Sequence, residues 1–114
     1  MRTQIADVDE IPPGSMREAT ILGKPIVVAN VNDQFYAFQN ACLHYQVRLS
    51  EGILDHSTVT CRWHQWQYRI DTGQVLTDES EYATFTTFPV VVEGRDVLVV
   101  HEPKTRITRR QEAQ

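Results

Sequence analysis

The sequence predicts an all-β domain, and three observations carry that expectation. Short runs of β-branched and aromatic residues recur along the chain, turn-forming residues separate them, and no long segment shows capped helical periodicity. The chain of 114 residues has the size of one ordinary domain and can bury a core without disulfide support. Its 41% apolar and 23% charged residues are those of a globular protein rather than a disordered one.

The elements follow in order. The opening Met1–Asp7 has acidic residues close behind it and no apolar run, so it does not read as a signal peptide. No stretch approaches the ~20 apolar residues of a transmembrane helix, and the expected compartment is the cytoplasm. Thr20-Ile21-Leu22 and Pro25-Ile26-Val27-Val28-Ala29-Asn30-Val31 read as strands across a hairpin turn at Gly23-Lys24. Asn32-Asp33-Gln34 is a second turn, leading into Phe35-Tyr36-Ala37-Phe38. Ser57-Thr58-Val59-Thr60 reads as a short strand that ends at Cys61. Phe88-Pro89-Val90-Val91-Val92 and Val97-Leu98-Val99-Val100 flank a third turn over Glu93-Gly94-Arg95-Asp96, with Pro89 placed at a strand start or edge because it cannot donate to a ladder. Between Asn40 and Glu81 alternation weakens, and Cys, His, Trp and Gly concentrate; this reads as a loop-rich insert on a β framework. The polar stretch 102–114 has Ile107 as its only large apolar residue and reads as a mobile charged tail.

Charge narrows the function classes. Residues 1–101 carry 7 basic and 13 acidic side chains, whereas 102–114 carry 4 basic and 2 acidic. An acidic body argues against nucleic acid as a partner and suits docking onto basic patches of other proteins.

The chemistry concentrates in two short motifs, Cys42-Leu43-His44 and Cys61-Arg62-Trp63-His64, with sixteen residues between His44 and Cys61. They contain both cysteines of the chain. One disulfide would be unusual support for a cytosolic domain of this size, so metal or redox use is expected. Three readings compete. A structural zinc module accepts two Cys and two His, but zinc sites usually pair like with like at short spacing. A catalytic Cys–His dyad does not call for a matching second pair. A binuclear iron–sulfur site suits mixed pairs, because one iron takes both thiolates and the other both imidazoles, and each loop then supplies one ligand to each iron.

The double motif resembles the signature of Rieske proteins, over roughly residues 2–101. Leu49-Ser50-Glu51-Gly52, Asp71-Thr72-Gly73 and the closing hairpin around Phe88–Gly94 add to the resemblance. It implies a Rieske-type β-sandwich or barrel base over residues 1–101, with a small loop-rich cluster-binding subdomain at about 40–80. It also implies one Rieske [2Fe–2S] cluster held by Cys42, His44, Cys61 and His64, and a one-electron carrier with no catalysis of its own.

Within the family, Cys61-Arg62-Trp63-His64-Gln65-Trp66 is most similar to the ferredoxin component of soluble diiron monooxygenases of the toluene, alkene or isoprene type. The implied partners are an NADH-dependent flavin reductase and the oxygenase hydroxylase component. The ferredoxin of a ring-hydroxylating dioxygenase is the alternative. Those relatives more often carry Gly at the positions of Tyr45 and Trp66. Respiratory-chain members tie their cluster loops with an extra Cys pair, which this chain lacks. Trp66 and Tyr68 are the expected residues around the cluster. Tyr68 matches the position where high-potential members bond a ligand sulfur. His56 and His101 lie outside the motifs and read as surface residues.

Overall fold

The structure is a computed structural model, and it describes residues 2–41, 47–62, 65–76, 82–102 and 104–109, of which 82–84 and 104–109 are described by backbone alone. The described residues form eleven strands and two short 3-10 turns, with no α-helix among them. The all-β expectation therefore holds.

The strands are β1 (Arg2–Asp7), β2 (Met16–Ile21), β3 (Lys24–Val31), β4 (Gln34–Gln39), β5 (Ile53–Asp55), β6 (Thr58–Thr60), β7 (Gln67–Arg69), β8 (Tyr82–Phe88), β9 (Val90–Glu93), β10 (Asp96–Val100) and β11 (Lys104–Arg109). They build a central five-stranded sheet in the order β11-β8-β4-β3-β2, a base sheet β1-β10-β9, and a small sheet β5-β6-β7.

The central sheet has no solvent side at its middle. Ile26, Val27, Val28 and Ala29 on β3 are all fully buried. Successive side chains of a strand point to opposite faces. Val27 and Ala29 accordingly join one core with Phe38, Phe85, Leu49, Val59, Cys61, Tyr68, Ile70 and Val75. Ile26 and Val28 join another, with Ala37 of β4, Ile11, and Ala6, Val97 and Val99 from the base sheet. An unbroken apolar run is what a strand buried on both faces requires.

The three hairpins read from the sequence are present, with one shift. The β2–β3 turn falls on Leu22-Gly23 rather than Gly23-Lys24, because Ile21 pairs with Lys24 and closes a two-residue loop. Both turn residues have positive φ, 49° and 77°, the requirement of the turn that matches strand twist. Asn32-Asp33 repeats the geometry between β3 and β4, with φ of 52° and 67°. Pro89 stands between β8 and β9, where the chain passes from the central sheet to the base sheet, and its carbonyl accepts from Val100 N–H at 2.9 Å.

The segment expected to carry the chemistry leaves at the end of β4 and returns through β8. These are neighbours in the central sheet, with Ala37 opposite Phe88 and Phe38 opposite Thr87. Residues 104–109 fall in the stretch read from the sequence as a tail. There the chain is β11, antiparallel to β8 from Lys104↔Thr87 to Arg109↔Tyr82. The β-branched Thr105, Ile107 and Thr108 suit a strand. The pairing is an edge ladder, so it needs little apolar anchoring. Residues 110–114 lie outside the described residues.

Candidate metal centre

Of the four expected ligands the structure describes Cys61; Cys42, His44 and His64 lie outside the described residues, as do Tyr45 and Trp63. The site is therefore built from the frames that hold the two motifs.

The second motif sits on a hairpin. Thr60 pairs with Gln67 across β6–β7, and Cys61 N–H donates to the Trp66 carbonyl at 2.7 Å, adding one rung to the ladder. Residues 62–65 join the two strands in sequence, and Gln65, just before Trp66, has a φ of 58°. Cys61 is fully buried within the core made with Leu49, Val59 and Tyr68. A thiolate in that position is withdrawn from water and suits coordination rather than solution chemistry. Its partner His64 is in the same loop by sequence. The donor set and the burial of Cys61 both fit an iron–sulfur cluster.

The first motif lies between two anchored points. Asn40, just after β4, is 7% exposed and is one of two buried polar residues among the described ones. Its backbone N–H donates to the Pro25 carbonyl at 3.2 Å. Its side-chain Oδ1 accepts from Ser50 N–H at 3.0 Å, and its Nδ2 donates to Glu18 Oε2 at 3.1 Å. Ser50 Oγ donates to the same Glu18 oxygen at 2.6 Å, and Arg48 Nη1 lies 3.6 Å from it. These bonds from Ser50 and Asn40 hold the Glu18 carboxyl below its ordinary value. Residues 41–49, which contain Cys42 and His44, span the gap between Asn40 and Ser50.

The two frames touch. Arg62 Nε donates to Glu51 Oε1 at 2.8 Å, linking the residue after Cys61 to the 3-10 turn Leu49–Glu51. Gly52, just beyond that turn, lies so close to β6 that a Cβ would run into the Thr60 carbonyl oxygen.

The residues expected around the cluster are both near Cys61. Tyr68 is fully buried and stacks on Phe85, with ring centroids 4.7 Å apart and planes 21° apart. Trp66 is partly buried against the same core. His56 is exposed beside Asp55 at 2.8 Å, and His101 is half-buried against the Thr3 hydroxyl. Among the described residues, no group of three or more His, Cys, Asp or Glu forms a further metal cluster.

Sequence reasoning did not single out Asn40 and Glu18. Asn40 could have been suspected as the last β4-side residue before the motif. Glu18 gives no local signal, because it meets Asn40 only through the pairing of β2, β3 and β4.

Residues 1–89 match the family model of the Rieske [2Fe-2S] domain. The biphenyl dioxygenase ferredoxin subunit of Pseudomonas sp. (strain KKS102) is 35% identical over 98 residues, covering 85% of this chain and 89% of that protein. The ferredoxin component of the alkene monooxygenase system of Xanthobacter autotrophicus is 28% identical over 100 residues, covering 87% and 80%. Among solved structures, the complex of reduced oxygenase and oxidized ferredoxin in carbazole 1,9a-dioxygenase contains a chain similar to this one with a TM-score of 0.82 and 30% identity, covering 90% of this chain and 95% of that one.

Proposed function

We propose, from the premise that this chain belongs to the Rieske [2Fe–2S] domain family, that Cys42, His44, Cys61 and His64 hold its cluster and that it delivers single electrons to the terminal component of a multicomponent oxygenase. The chain is an electron-transfer component, as its relatives are, not a catalytic subunit. When bound, the cluster supplies a one-electron change. The chain's residues do the rest. Cys61 follows β6 and is buried, His64 comes three residues later in the sequence, and Cys42 and His44 lie in sequence between the anchored Asn40 and Ser50. The observation that carries this reading is the fully buried Cys61 at the foot of a backbone-closed loop containing His64.

The donor on the other side is an NADH-dependent flavin reductase, and the compartment is the cytoplasm. Among the described residues, no helix is long and apolar enough to cross a membrane. For the acceptor, the diiron monooxygenase reading rests on Tyr45 and Trp66 and on the alkene monooxygenase relative. Relatives of higher identity are ferredoxins of biphenyl and naphthalene dioxygenases, at 35% and 32%. Identity over the whole chain therefore favours a ring-hydroxylating dioxygenase more than the residues flanking the histidines suggest. A zinc module has no support from any relative named here.

Purified protein is expected to be red-brown, with two irons and two acid-labile sulfides per chain and a Rieske-type paramagnetic signal on reduction. His44→Ala and His64→Ala each abolish or convert that signal. A colourless chain holding stoichiometric zinc would overturn the reading. Stopped-flow oxidation of the reduced protein by a diiron hydroxylase and by a dioxygenase terminal component then decides the acceptor.

A further inference from the structure

We propose that the cleft between the free edge of β9 and the β3–β4 hairpin takes up an extended segment of a partner protein. That segment alternates basic and apolar residues and pairs with β9 as an added strand.

The free edge follows from the β9–β10 hairpin. Glu93 pairs with Asp96 across the two-residue loop Gly94-Arg95, so these two exchange backbone hydrogen bonds. The ladder then alternates, and the bond from Val100 N–H to the Pro89 carbonyl at 2.9 Å is in phase with it. The N–H and carbonyl groups of Val90 and Val92 therefore point away from β10. β9 ends the base sheet, and among the described residues nothing bonds to those groups. β8 pairs with β4 as far as Ala37↔Phe88, and beyond Pro89 the chain passes to the base sheet. A cleft of about 450 Å³ opens there, between β9 and the start of β4. Half-buried Val8 and Phe35 line it with Val92, and the exposed Asp9 and Asp33 stand at it too.

Val92 shows what the cleft lacks. It lies on the same face of β9 as Val90, which packs against the base core, and opposite Val97, which is fully buried. Yet Val92 is 45% exposed. An inward-facing valine left half in water, beside unpaired backbone groups, is the state of a sheet without its next strand. An added strand would pair its backbone with Val92 and send alternate apolar side chains over Val8 and Phe35.

Charge selects the occupant. Asp33 makes no ion pair among the described residues, and Asp9 shares the Arg95 guanidinium with Asp7. Basic residues in the alternate positions of the added strand would meet these carboxylates. A second copy of this chain would instead bring up another acidic body, with 13 acidic against 7 basic residues over 1–101. The cleft is at the Phe35 end of β4, whereas the segment with the two motifs leaves after Gln39, at the other end. A protein held here is thus tethered at the base.

The test titrates the purified full chain, cluster loaded, with the capped peptide Lys-Val-Arg-Val-Lys-Val-Arg in a calorimeter at low salt. A peptide with Glu in place of each basic residue is the control. The basic peptide is expected to bind one per chain and to slow hydrogen exchange at the Val92 amide; the acidic peptide is expected not to bind. Asp33→Asn removes the charge with a residue that tolerates the φ of 67° there, and should weaken binding about twofold to fivefold. Val92→Pro removes an N–H that β10 does not use, and should weaken binding about tenfold. Ile53→Thr, at an exposed position on the small sheet outside the cleft, leaves the affinity unchanged. Asp33→Asn and the Val92 exchange decide the matter even where Val92→Pro does not fold. Absence of binding by the basic peptide overturns the proposal. So does binding that Asp33→Asn leaves unchanged, or that leaves Val92 exchange unchanged, since that is attraction to an acidic body at large. A wild-type dimer in sedimentation that Val92→Pro separates would make a second copy the occupant and overturn the partner segment.

Discussion

The two motifs are held by different means. The loop with Cys61 and His64 is closed by backbone: Thr60 pairs with Gln67, and Cys61 N–H reaches the Trp66 carbonyl. The loop with Cys42 and His44 is closed by side chains, through Asn40, Ser50 and Glu18. A backbone rung is available to almost any residue. A side-chain ring needs three particular residues and can be lost by one substitution. The anchors around Cys42 and His44 are therefore open to loss by one substitution, while the backbone rung beside Cys61 is not.

The largest expected effect breaks the comparison where the two frames meet. Gly52→Ala drives a Cβ into the Thr60 carbonyl, which is backbone and cannot rotate away. Overpacking of this kind costs roughly 1–3 kcal/mol, so the unfolding midpoint should fall by about 5 °C or more. Calorimetry showing no change would mean that β6 yields there, and that the hairpin is less rigid than its pairing implies.

Next in size is Tyr68→Phe, which leaves the hairpin's packing in place and removes one oxygen. A hydroxyl bonded to a ligand sulfur stabilises the reduced, more negative state. At about 0.5–1.5 kcal/mol the bond corresponds to roughly 20–60 mV for one electron. The midpoint potential of the variant should fall by that amount under voltammetry, with the cluster retained. An unchanged or higher potential would mean that the Tyr68 hydroxyl does not bond a ligand sulfur.

A smaller effect sharpens the link between the frames. A double-mutant cycle on Glu51→Gln and Arg62→Ala should give a coupling of about 0.2–1 kcal/mol in thermal unfolding, the range of exposed ion pairs. These side chains are 46% and 58% exposed, which places them in that range. Zero coupling would leave the frames joined by packing, at Gly52 and between Leu49 and Cys61.

The smallest effect is a null. Glu18 is held below its ordinary 4.5 by hydrogen bonds from Ser50 and Asn40. A depressed carboxyl contributes fully above its unfolded value, and the contribution is lost only as pH falls through the folded one. The difference in unfolding midpoint between Glu18→Ala and wild type, followed by thermal denaturation, should therefore be flat from about pH 6 to about pH 8. A slope in that window would point to another titrating group coupled to Glu18.

Much of this was legible in the sequence because local rules act strongly there. The run Ile26–Ala29 announces a strand buried on both faces, and Asn32-Asp33 announces a hairpin turn. The Leu22-Gly23 turn was displaced by one residue, because a leucine at positive φ defies the residue preferences that locate such turns. Strands β1, β5, β7 and β11 were not legible. They are short or polar, and they form because a neighbour offers a ladder. The same holds at the site. Cys61 at the end of a short strand can be read from the sequence, whereas its hairpin partner β7 cannot, and Glu18 meets Asn40 across 22 positions of chain, a contact that exists only once β2, β3 and β4 have paired.

One feature of the topology has a practical side. The segment that carries the four proposed ligands departs from β4 and re-enters at β8, and these strands pair at Ala37↔Phe88 and Phe38↔Thr87. Paired strands hold their Cα atoms about 5 Å apart. A stretch with its two ends that close can be handled as a cassette, cut from this scaffold and spliced into any hairpin of matching twist, since the host need not stretch to receive it. The graft would have to take its footing along. Val27, Phe38 and Phe85 underlie the cassette and lie outside it, and Glu18, the anchor of its first loop, belongs to the mount. A transplant that copied residues 40–81 alone would bring the metal-binding motifs and leave the fastening behind.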